Sequence, residues 1–532
     1  MPAAAAPRVS PLADRLSKPM PNDRARSWWV TAGITAVAGV LRFVDLGRPH
    51  AVAFDETYYM KDALSYLRYG YEMQFVEGAN DKILASDGNW RTIDVFGSGP
   101  AYVVHPPVGK WTIAIGEYLF GLNPFGWRFM MALLGTLMVL LVVRITRRLT
   151  RSTLIGAIAG FLLAMDGVAI VLSRTALLDN TLAFWLVVAF GCILMDRERT
   201  RARLASLVRK FPDDYEALLV LRKGFGPRTG WRPWRWATGF ALGMACATKW
   251  SGLWFVVAFG IMTVLWDVGM RRLVGVRSLE AIGGAVVDGL VALVSIVGVA
   301  FAVYLVSWSG WLFTSGGYYR DWAQTHPGEG LTFLPDALRS LAYYHWQMYN
   351  FHVHLSSPHS YQSNAWSWLL QTRPTNFFYQ GTPDIPPSAC GATKCSAEVT
   401  SLGNPLIWWA GTVALLHQIW RWAARRDWRS GFAVLAVLAA WLPWLGYQGR
   451  TIFTFYSVAI IPFLCIVLAM SLGAVLGPTN APEMRRIVGG AVVGTYLLVC
   501  VVAASWFFYP IWTAQIITFD QWHLRMWFST WV

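Results

Sequence analysis

The chain has 532 residues, of which 55% are hydrophobic and 14% are charged, against roughly 25% charged residues in an ordinary soluble domain. This composition excludes a soluble enzyme, because a soluble fold could not bury so much apolar side chain. The net charge of +15 would suit nucleic-acid binding, but most Lys and Arg residues lie in short segments between apolar runs, as in the cytoplasmic loops of membrane proteins. The sequence therefore predicts a polytopic membrane protein that binds no nucleic acid.

The N-terminal residues 1–26 are rich in Pro, Ala and Arg and lack apolar periodicity, which predicts a disordered cytoplasmic tail. Apolar runs long enough to cross a bilayer follow over residues 27–509. We predict an all-α membrane domain there, with about eleven transmembrane helices near residues 27–44, 127–144, 153–172, 180–195, 236–249, 251–268, 285–308, 404–421, 431–447, 455–475 and 487–509.

The basic segments fix the orientation of these helices. With the N-terminus in the cytoplasm, every Lys- and Arg-rich segment falls on the cytoplasmic side. Two large loops, residues 45–126 and 309–403, and the C-terminal segment 510–532 then lie on the extracytoplasmic side. Because these segments hold nearly all the histidines, we expect the chemistry at the outer face of the membrane.

Two adjacent carboxylates, Asp55 and Glu56, follow the first predicted helix at the boundary between lipid and water. Partial desolvation at this depth raises a carboxylate's proton affinity, which suits a general base. Both are therefore candidate catalytic residues. The alternative is a solvated helix start, where acidic residues are favourable.

The first outer loop also carries cations close to the membrane. His105 opens the run His-Pro-Pro-Val-Gly-Lys that ends at Lys110, and Arg128 follows Trp127 at the start of the second predicted span. We predict that these three residues bind a lipid phosphate. The alternative is interfacial anchoring, since Trp beside a cation is common at helix ends.

Three further cations lie at predicted outer ends of spans: Arg42, Arg174 and Lys249. Cations are comparatively rare on this side, so they are candidate phosphate ligands as well. As alternatives, Arg174 pairs with Asp179, and the Arg42 side chain extends to the interface.

The second outer loop contains an aromatic, His-rich stretch. We predict that Tyr344, His345 and His352, together with Tyr58 of the first loop, contact a sugar or an acceptor peptide. A metal held by His352 and His354 on a strand is the weaker alternative, because no carboxylate or Cys follows at a ligand spacing. The sequence also lacks the known nucleotide-binding motifs.

Cys390 and Cys395 lie five residues apart in a polar part of the second outer loop. On an oxidising side of the membrane this pair predicts a disulfide. Metal binding by two thiols without a neighbouring His is the weaker alternative, and the remaining cysteines lie within apolar runs, where an inert thiol is usual.

Several of these motifs occur together in one order, namely Asp55-Glu56, His105 to Lys110, Trp127-Arg128, Arg174 to Asp179 and Thr248-Lys249-Trp250-Ser251-Gly252-Leu253. In that order the chain resembles the protein O-mannosyltransferases, in the compact form found in actinobacteria. The resemblance covers nearly the whole membrane portion. It implies a GT-C type membrane fold and an enzyme that moves mannose from a polyprenyl-phosphate donor to Ser or Thr of a protein.

The resemblance also implies roles for particular residues. Asp55 matches the family's base, and Glu56, Arg42 and Arg128 match further positions tied to activity. Lys249 or Arg128 would meet the donor phosphate. A single displacement would invert the anomeric carbon and would require no cofactor, whereas dependence on a divalent cation stays open.

The expected partners are polyprenyl-phosphate mannose, a secreted protein or peptide acceptor, membrane lipid and the secretion machinery, at a bacterial plasma membrane. One alternative is a GT-C enzyme that moves another sugar or uses a lipid or glycan acceptor. Another is a polyprenyl-lipid transporter, although a transporter would place ionisable residues near mid-membrane.

Overall fold

The computed structural model describes residues 10–228 and 230–532 of the chain. Helices dominate these residues. The α-helices are α1 (Pro11–Leu16), α2 (Arg24–Phe43), α3 (Glu56–Tyr69), α4 (Ala79–Ala85), α5 (Val108–Phe120), α6 (Pro124–Thr150), α7 (Thr153–Ala164), α8 (Gly167–Arg174), α9 (Leu178–Val208), α10 (Asp214–Leu221), α11 (Pro233–Cys246), α12 (Leu253–Leu273), α13 (Ser278–Ala292), α14 (Val299–Ser307), α15 (Ser309–Phe313), α16 (Trp322–Thr325), α17 (Asp336–His354), α18 (Pro405–Arg425), α19 (Trp428–Trp441), α20 (Ile461–Leu476), α21 (Glu483–Val501), α22 (Tyr509–Trp512) and α23 (Phe519–His523).

Among the described residues, six helical segments are long and apolar enough to cross a membrane, so the chain is a multi-pass membrane protein. A seventh span is possible if α7 and α8, which bend by 59° at their junction, cross the bilayer together. The six segments are Pro124–Thr150, Leu178–Val208, Trp250–Leu273, Ser278–Ser307, Trp428–Tyr447 and Glu483–Trp512.

Four of the predicted spans coincide with helices that fail this test, namely α2, α11, α18 and α20. α11 and α20 have 14 and 16 residues, fewer than the roughly 20 that span a bilayer. α2 and α18 are long enough but carry Arg residues. The count of eleven therefore stays a prediction.

The helices pack through aromatic side chains and through close approaches of small residues. Phe190 of α9 stacks on Phe432 of α19 at 3.9 Å and contacts Phe463 of α20 at 5.2 Å. A Cβ on Gly243 of α11 would lie 2.8 Å from the carbonyl oxygen of Ala300 in α14, so only glycine permits this spacing. This core positions the start of α9, which carries Asp179, and the end of α11, which Lys249 follows.

The structure is not purely helical, so the all-α prediction is wrong for the loops. Strand β1 (Met73–Phe75) pairs antiparallel with β2 (Phe96–Pro100) in the first loop. In the second loop β3 (Thr375–Gly381) pairs with β4 (Cys395–Ser401), which also pairs with β5 (Ile517–Thr518) of the C-terminal segment. The hydrophobic pattern of the spans indicates nothing about these short pairings, because all five strands lie outside the apolar runs.

A disulfide joins Cys390 to Cys395 at the start of β4. Every residue of β4 is buried, and the backbone N–H of Ala514 donates to the carbonyl oxygen of Glu398 at 3.0 Å. The second loop and the C-terminal segment thus form one small structured unit.

The structure also differs from the disordered tail that we expected for residues 1–26. Helix α1 begins after Ser10, whose hydroxyl accepts the N–H of Ala13 at 3.1 Å and donates to Asp214 at 2.6 Å. Ala13 and Leu16 are buried against apolar side chains of α9 and α12. Residues 1–9 of the predicted tail lie outside the described residues.

Candidate active site

Asp55 lies in the turn that precedes α3. Phe54 before it adopts a φ of 48°, which is uncommon for a bulky residue, and its ring stacks on Phe377 of β3 at 4.9 Å. Among the described residues, nothing hydrogen-bonds to the Asp55 carboxylate. Its two oxygens are therefore free to bind a substrate hydroxyl.

The electrostatic surroundings of Asp55 suit a general base. Burial raises the pKa of Asp55 to about 6, while Lys249 lowers it and Asp179 raises it further. All three groups therefore lie close enough to influence one another. A carboxylate with this pKa is ionised at neutral pH and holds an accepted proton more strongly than an exposed aspartate does.

Glu56 is engaged in a different way from its neighbour. Its carboxylate binds Arg128 through two hydrogen bonds of 2.7 and 2.8 Å. It also accepts the backbone N–H groups of Ala53 and Ala176, each at 2.9 Å. Glu56 is fully buried and holds the turn before Asp55. Its catalytic role stays a prediction.

Arg128 is likewise fully hydrogen-bonded within the protein, and its role as a phosphate ligand stays a prediction. Besides its ion pair with Glu56, it donates to the carbonyl oxygens of Leu46, Pro49 and Ala51. All five N–H groups of a guanidinium are thereby used, and the side chain is fully buried.

Arg42 and Arg174 also donate mainly to backbone carbonyl oxygens of the protein itself. Arg42 donates to the Ser173 hydroxyl and to three carbonyl oxygens of its own and a neighbouring helix. Arg174 donates to the carbonyl oxygens of Arg42, Val44 and Asp45, where the end of α2 leaves backbone acceptors unpaired. The alternative in which Arg174 pairs with Asp179 is wrong, because Asp179 binds Lys249 at 2.7 Å.

Lys110 lies in a separate buried cluster. Its ammonium group binds Glu72 and lies 3.8 Å from Asp62, and Tyr66 donates to the same Glu72 carboxylate at 2.8 Å. Burial raises the pKa of Asp62 to about 7, with Lys110 opposing the shift. Lys110 is therefore not placed to meet a lipid phosphate.

A cavity of about 340 Å³ lies next to Lys249 and Asp179. Its polar wall is formed by His105, Asp179, Lys249, His352 and Arg450. Asp55 does not line this cavity itself. The charges of Lys249 and Asp179, which do line the cavity, shift the pKa of Asp55.

Two cations line this cavity within the described part of the chain. The Lys249 ammonium lies 2.7 Å from Asp179 and 4.9 Å from the centre of the Tyr456 ring. Arg450 donates to His352 at 3.2 Å, and its buried Nε atom has no hydrogen-bond partner. An unpaired buried donor on a cation suits an incoming anion.

His352 supports Arg450 as a neutral imidazole. Its Nε2 atom lies 2.7 Å from the carbonyl oxygen of Val104, which requires a proton on Nε2 and leaves Nδ1 to accept from Arg450. Burial lowers the pKa of His352 to about 4, and Arg450 and Lys249 contribute to this shift. Burial and Lys249 likewise hold the pKa of His105 well below its usual range.

The other wall of the cavity is apolar and is formed by spans. The residues come from α9, α12 and α19 and the segment after it: Leu182, Leu186, Leu253, Phe255, Val257, Ala439, Ala440 and Trp444. Leu253 and Val257 are more than half exposed, so this wall continues onto the apolar outer surface of α12. A ligand with an anionic head and a hydrocarbon chain matches both walls.

The residues predicted to contact sugar or acceptor fall into two groups. His352 lines the cavity, and Tyr58 is 63% exposed on α3 near Asp55. Tyr344 instead exchanges two hydrogen bonds with the backbone of Val103. His345 hydrogen-bonds to the Tyr304 hydroxyl at 2.6 Å. Tyr344 and His345 therefore hydrogen-bond within the protein and stabilise the residues around the cavity.

The His352–His354 metal alternative fails on secondary structure. Both residues lie on α17, where positions two apart point to different sides of the helix. His352 faces the cavity, whereas His354 is exposed and bonds back to the carbonyl oxygen of Asn350.

Comparison with known proteins identifies the family. Residues 32–208 match the family model described as dolichyl-phosphate-mannose-protein mannosyltransferase, and residues 337–531 match the C-terminal four-TMM region of protein-O-mannosyltransferase. The polyprenol-phosphate-mannose–protein mannosyltransferase of Mycolicibacterium smegmatis is 37% identical over 529 residues, covering 96% of this chain and 94% of the relative. The chain belongs to the protein O-mannosyltransferase family. The mannosyltransferase of this name from Corynebacterium glutamicum is 33% identical over 82% of the chain and 83% of its own length.

A solved relative shows the same fold. The S. cerevisiae protein O-mannosyltransferase Pmt1-Pmt2 complex bound to the sugar donor superposes with a TM-score of 0.70 at 15% identity, covering 98% of this chain and 94% of the yeast chain. The predicted membership of the protein O-mannosyltransferases is thus confirmed, and so is a GT-C type helical membrane fold. Within this mannosyltransferase the structure adds Arg450, which the motif pattern did not single out because it stands alone between apolar segments.

Proposed function

We propose that this mannosyltransferase moves mannose from polyprenyl-phosphate mannose to Ser or Thr hydroxyls of secreted or membrane proteins. The names of its bacterial relatives support the donor and the protein acceptor. The observation that carries the proposal is the cavity with Lys249 and Arg450 at one wall and span residues at the other. A polyprenyl phosphate has this combination of an anionic group and a hydrocarbon chain.

In this proposal Lys249 and Arg450 bind the donor phosphate, and the polyprenyl chain follows the apolar wall toward α12. The same cations stabilise the negative charge that grows on the phosphate as it leaves. Asp179 keeps Lys249 in position through their 2.7 Å ion pair. His352 orients Arg450 in the same way.

Asp55 acts as the general base. Its free carboxylate accepts the proton of the acceptor hydroxyl as the oxygen attacks the anomeric carbon of mannose. The new C–O bond forms while the bond to the phosphate oxygen breaks, so a single displacement inverts the anomeric centre. Polyprenyl phosphate leaves with the electron pair, and Glu56 with Arg128 holds the turn that carries Asp55.

The same proposal includes the topology predicted from the sequence: about eleven spans, a cytoplasmic N-terminus and an active site on the outer side of a bacterial plasma membrane. Basic residues from four predicted cytoplasmic segments support it, because Arg15, Arg151, Arg197 and Arg425 line one cavity. Asp179 and Arg197 lie 18 positions apart on α9, or roughly 27 Å at 1.5 Å per residue. Acceptors would then meet the enzyme as they leave the secretion machinery.

A transfer assay tests the function. Purified full-length protein is incubated with radiolabelled polyprenyl-phosphate mannose and either a Ser/Thr-rich peptide or a polyprenyl-linked glycan. We expect label on the peptide hydroxyls, and loss of that label with Asp55→Asn. Label on the glycan alone, or transfer from a different sugar donor alone, would contradict the protein acceptor or the mannose donor, respectively.

A further inference from the structure

A second cavity, of about 400 Å³, lies far from Asp55 and is lined mainly by cations. We call it the basic cavity. Its side chains come from the N-terminal segment, the turn after α6, the middle of α9 and the connection between α18 and α19. Six of its cations have no carboxylate within salt-bridge distance in the part of the chain that the structure describes: Arg15, Lys18, Arg197, Arg201, Arg425 and Arg426.

The residues that line the basic cavity carry far less negative than positive charge. Asp427 is the one acidic residue that lines it, and Arg421 and Arg429 already share this carboxylate at 2.9 and 3.0 Å. The Nε atoms of Arg197 and Arg201 are buried without a hydrogen-bond partner. Unpaired buried donors on cations suit an anionic ligand.

The burial and packing of Arg197 distinguish the basic cavity from a patch of exposed surface charge. Its side chain is 7% exposed, and its guanidinium lies 3.2 Å from the centre of the Trp428 ring. Stacking on Trp fixes the guanidinium plane while leaving its N–H groups directed outward from the ring edge. Planar, fixed guanidinium groups bind phosphate through paired hydrogen bonds.

An adjoining groove provides the apolar part of the site. A cavity of about 700 Å³ shares four charged residues with the basic cavity, namely Arg421, Arg425, Asp427 and Arg429. Ile155, Met470 and Ala474 form an apolar part of its wall. These apolar residues belong to α7 and α20. A phosphate in the basic cavity could therefore carry an acyl chain along this groove.

We propose that the basic cavity binds the phosphate groups of an anionic phospholipid, whose acyl chain lies against Ile155 and Met470. A phospholipid headgroup and a soluble phosphate compound would both present a phosphate anion to this cavity. The adjoining groove favours the lipid. This site lies outside the transfer chemistry, and its occupancy holds together four segments that are separate in sequence.

Lipid titration followed by native mass spectrometry tests the proposal. Full-length, delipidated protein is titrated with cardiolipin, with phosphatidylcholine as the neutral lipid and with inorganic pyrophosphate as the soluble anion. The test variant is Arg201→Gln/Arg425→Gln/Arg426→Gln. The matched control is Arg222→Gln/Arg272→Gln/Arg277→Gln, which removes the same number of positive charges from exposed side chains that do not line the basic cavity.

We expect cardiolipin to bind the wild type and the control alike, and to bind the test variant at least about tenfold more weakly, because charge-assisted contacts are lost. The Lys variant at the same three positions should recover most of the affinity. Equal weakening in the test and control variants would overturn the proposal in favour of general surface attraction. Binding of pyrophosphate without cardiolipin would overturn the lipid assignment, and equal binding of phosphatidylcholine would overturn the anion requirement. Transfer activity, measured in parallel, reports folding separately from lipid binding.

Discussion

Replacing Glu56 by Gln should destabilise the protein, because this carboxylate receives four hydrogen bonds on two oxygens. Arg128 donates two of them, and the backbone N–H groups of Ala53 and Ala176 donate the others. Gln retains one acceptor oxygen and turns an NH₂ group toward the remaining donors. Each buried donor left unpaired costs about 1–3 kcal/mol, and breaking a buried ion pair costs about 3–5 kcal/mol. We therefore expect the free energy of unfolding to fall by about 3–5 kcal/mol.

The neighbouring substitution Asp55→Asn is the matched control. It also removes one carboxylate charge, but no hydrogen bond to Asp55 is lost. Equilibrium unfolding in mixed micelles of SDS and a mild detergent, followed by Trp fluorescence, measures both variants. Our reasoning would be refuted by a Glu56→Gln protein as stable as the wild type, or by an equal loss in both variants.

Four further outcomes are expected. Asp55→Asn should lower the transfer rate by about 10² to 10⁴-fold with donor binding retained, as measured by single-turnover transfer and donor titration; wild-type turnover would remove Asp55 from the mechanism. Burial raises the pKa of Asp55 to about 6, so its basic form is lost as pH falls and kcat/KM should decline below pH 6 and level off above it. A profile that is flat from pH 5 to 8 would speak against this base. Lys249→Gln and Arg450→Gln should each weaken binding of polyprenyl-phosphate mannose roughly tenfold or more, since a charge-assisted contact is lost, and Arg450→Lys should lose less; unchanged affinity in both Gln variants would place the phosphate elsewhere. Alkylation of the non-reduced protein followed by peptide mass spectrometry should find Cys390 linked to Cys395, and free thiols at both positions would contradict the pairing.

A multi-pass helical membrane protein could be predicted from the sequence because long apolar runs are a local signal. The choice of Asp55 as the base also rests on local sequence and stays a prediction. Long apolar runs identify spans, and Asp55 follows the first helix directly. Lys249 could also be selected, since a cation at that end of a span stands out against the usual charge bias.

The roles of the remaining cations depend on contacts that local sequence does not contain. Arg128 resembles an interfacial anchor or a phosphate ligand in sequence, yet its partners Glu56 and Leu46 lie about 70–80 residues away. Arg42 and Arg174 likewise bind carbonyl oxygens at chain bends, which no charge pattern reveals. Arg450 belongs to no sequence motif. A single Arg between apolar segments becomes a candidate phosphate ligand only when the structure shows that it lines the cavity.

The packing of Phe54 has a consequence for biosynthesis. Its ring contacts Phe377, Phe453 and Phe455, and its left-handed backbone is strained for a side chain of this size. Those partners emerge from the ribosome some three to four hundred residues after Phe54, so the nascent enzyme inserts most of its helices before they are available to support the turn that carries Asp55. The Asp55 carboxylate therefore acquires its final geometry late in synthesis, and a chain truncated before residue 453 should occupy the membrane without becoming a competent enzyme.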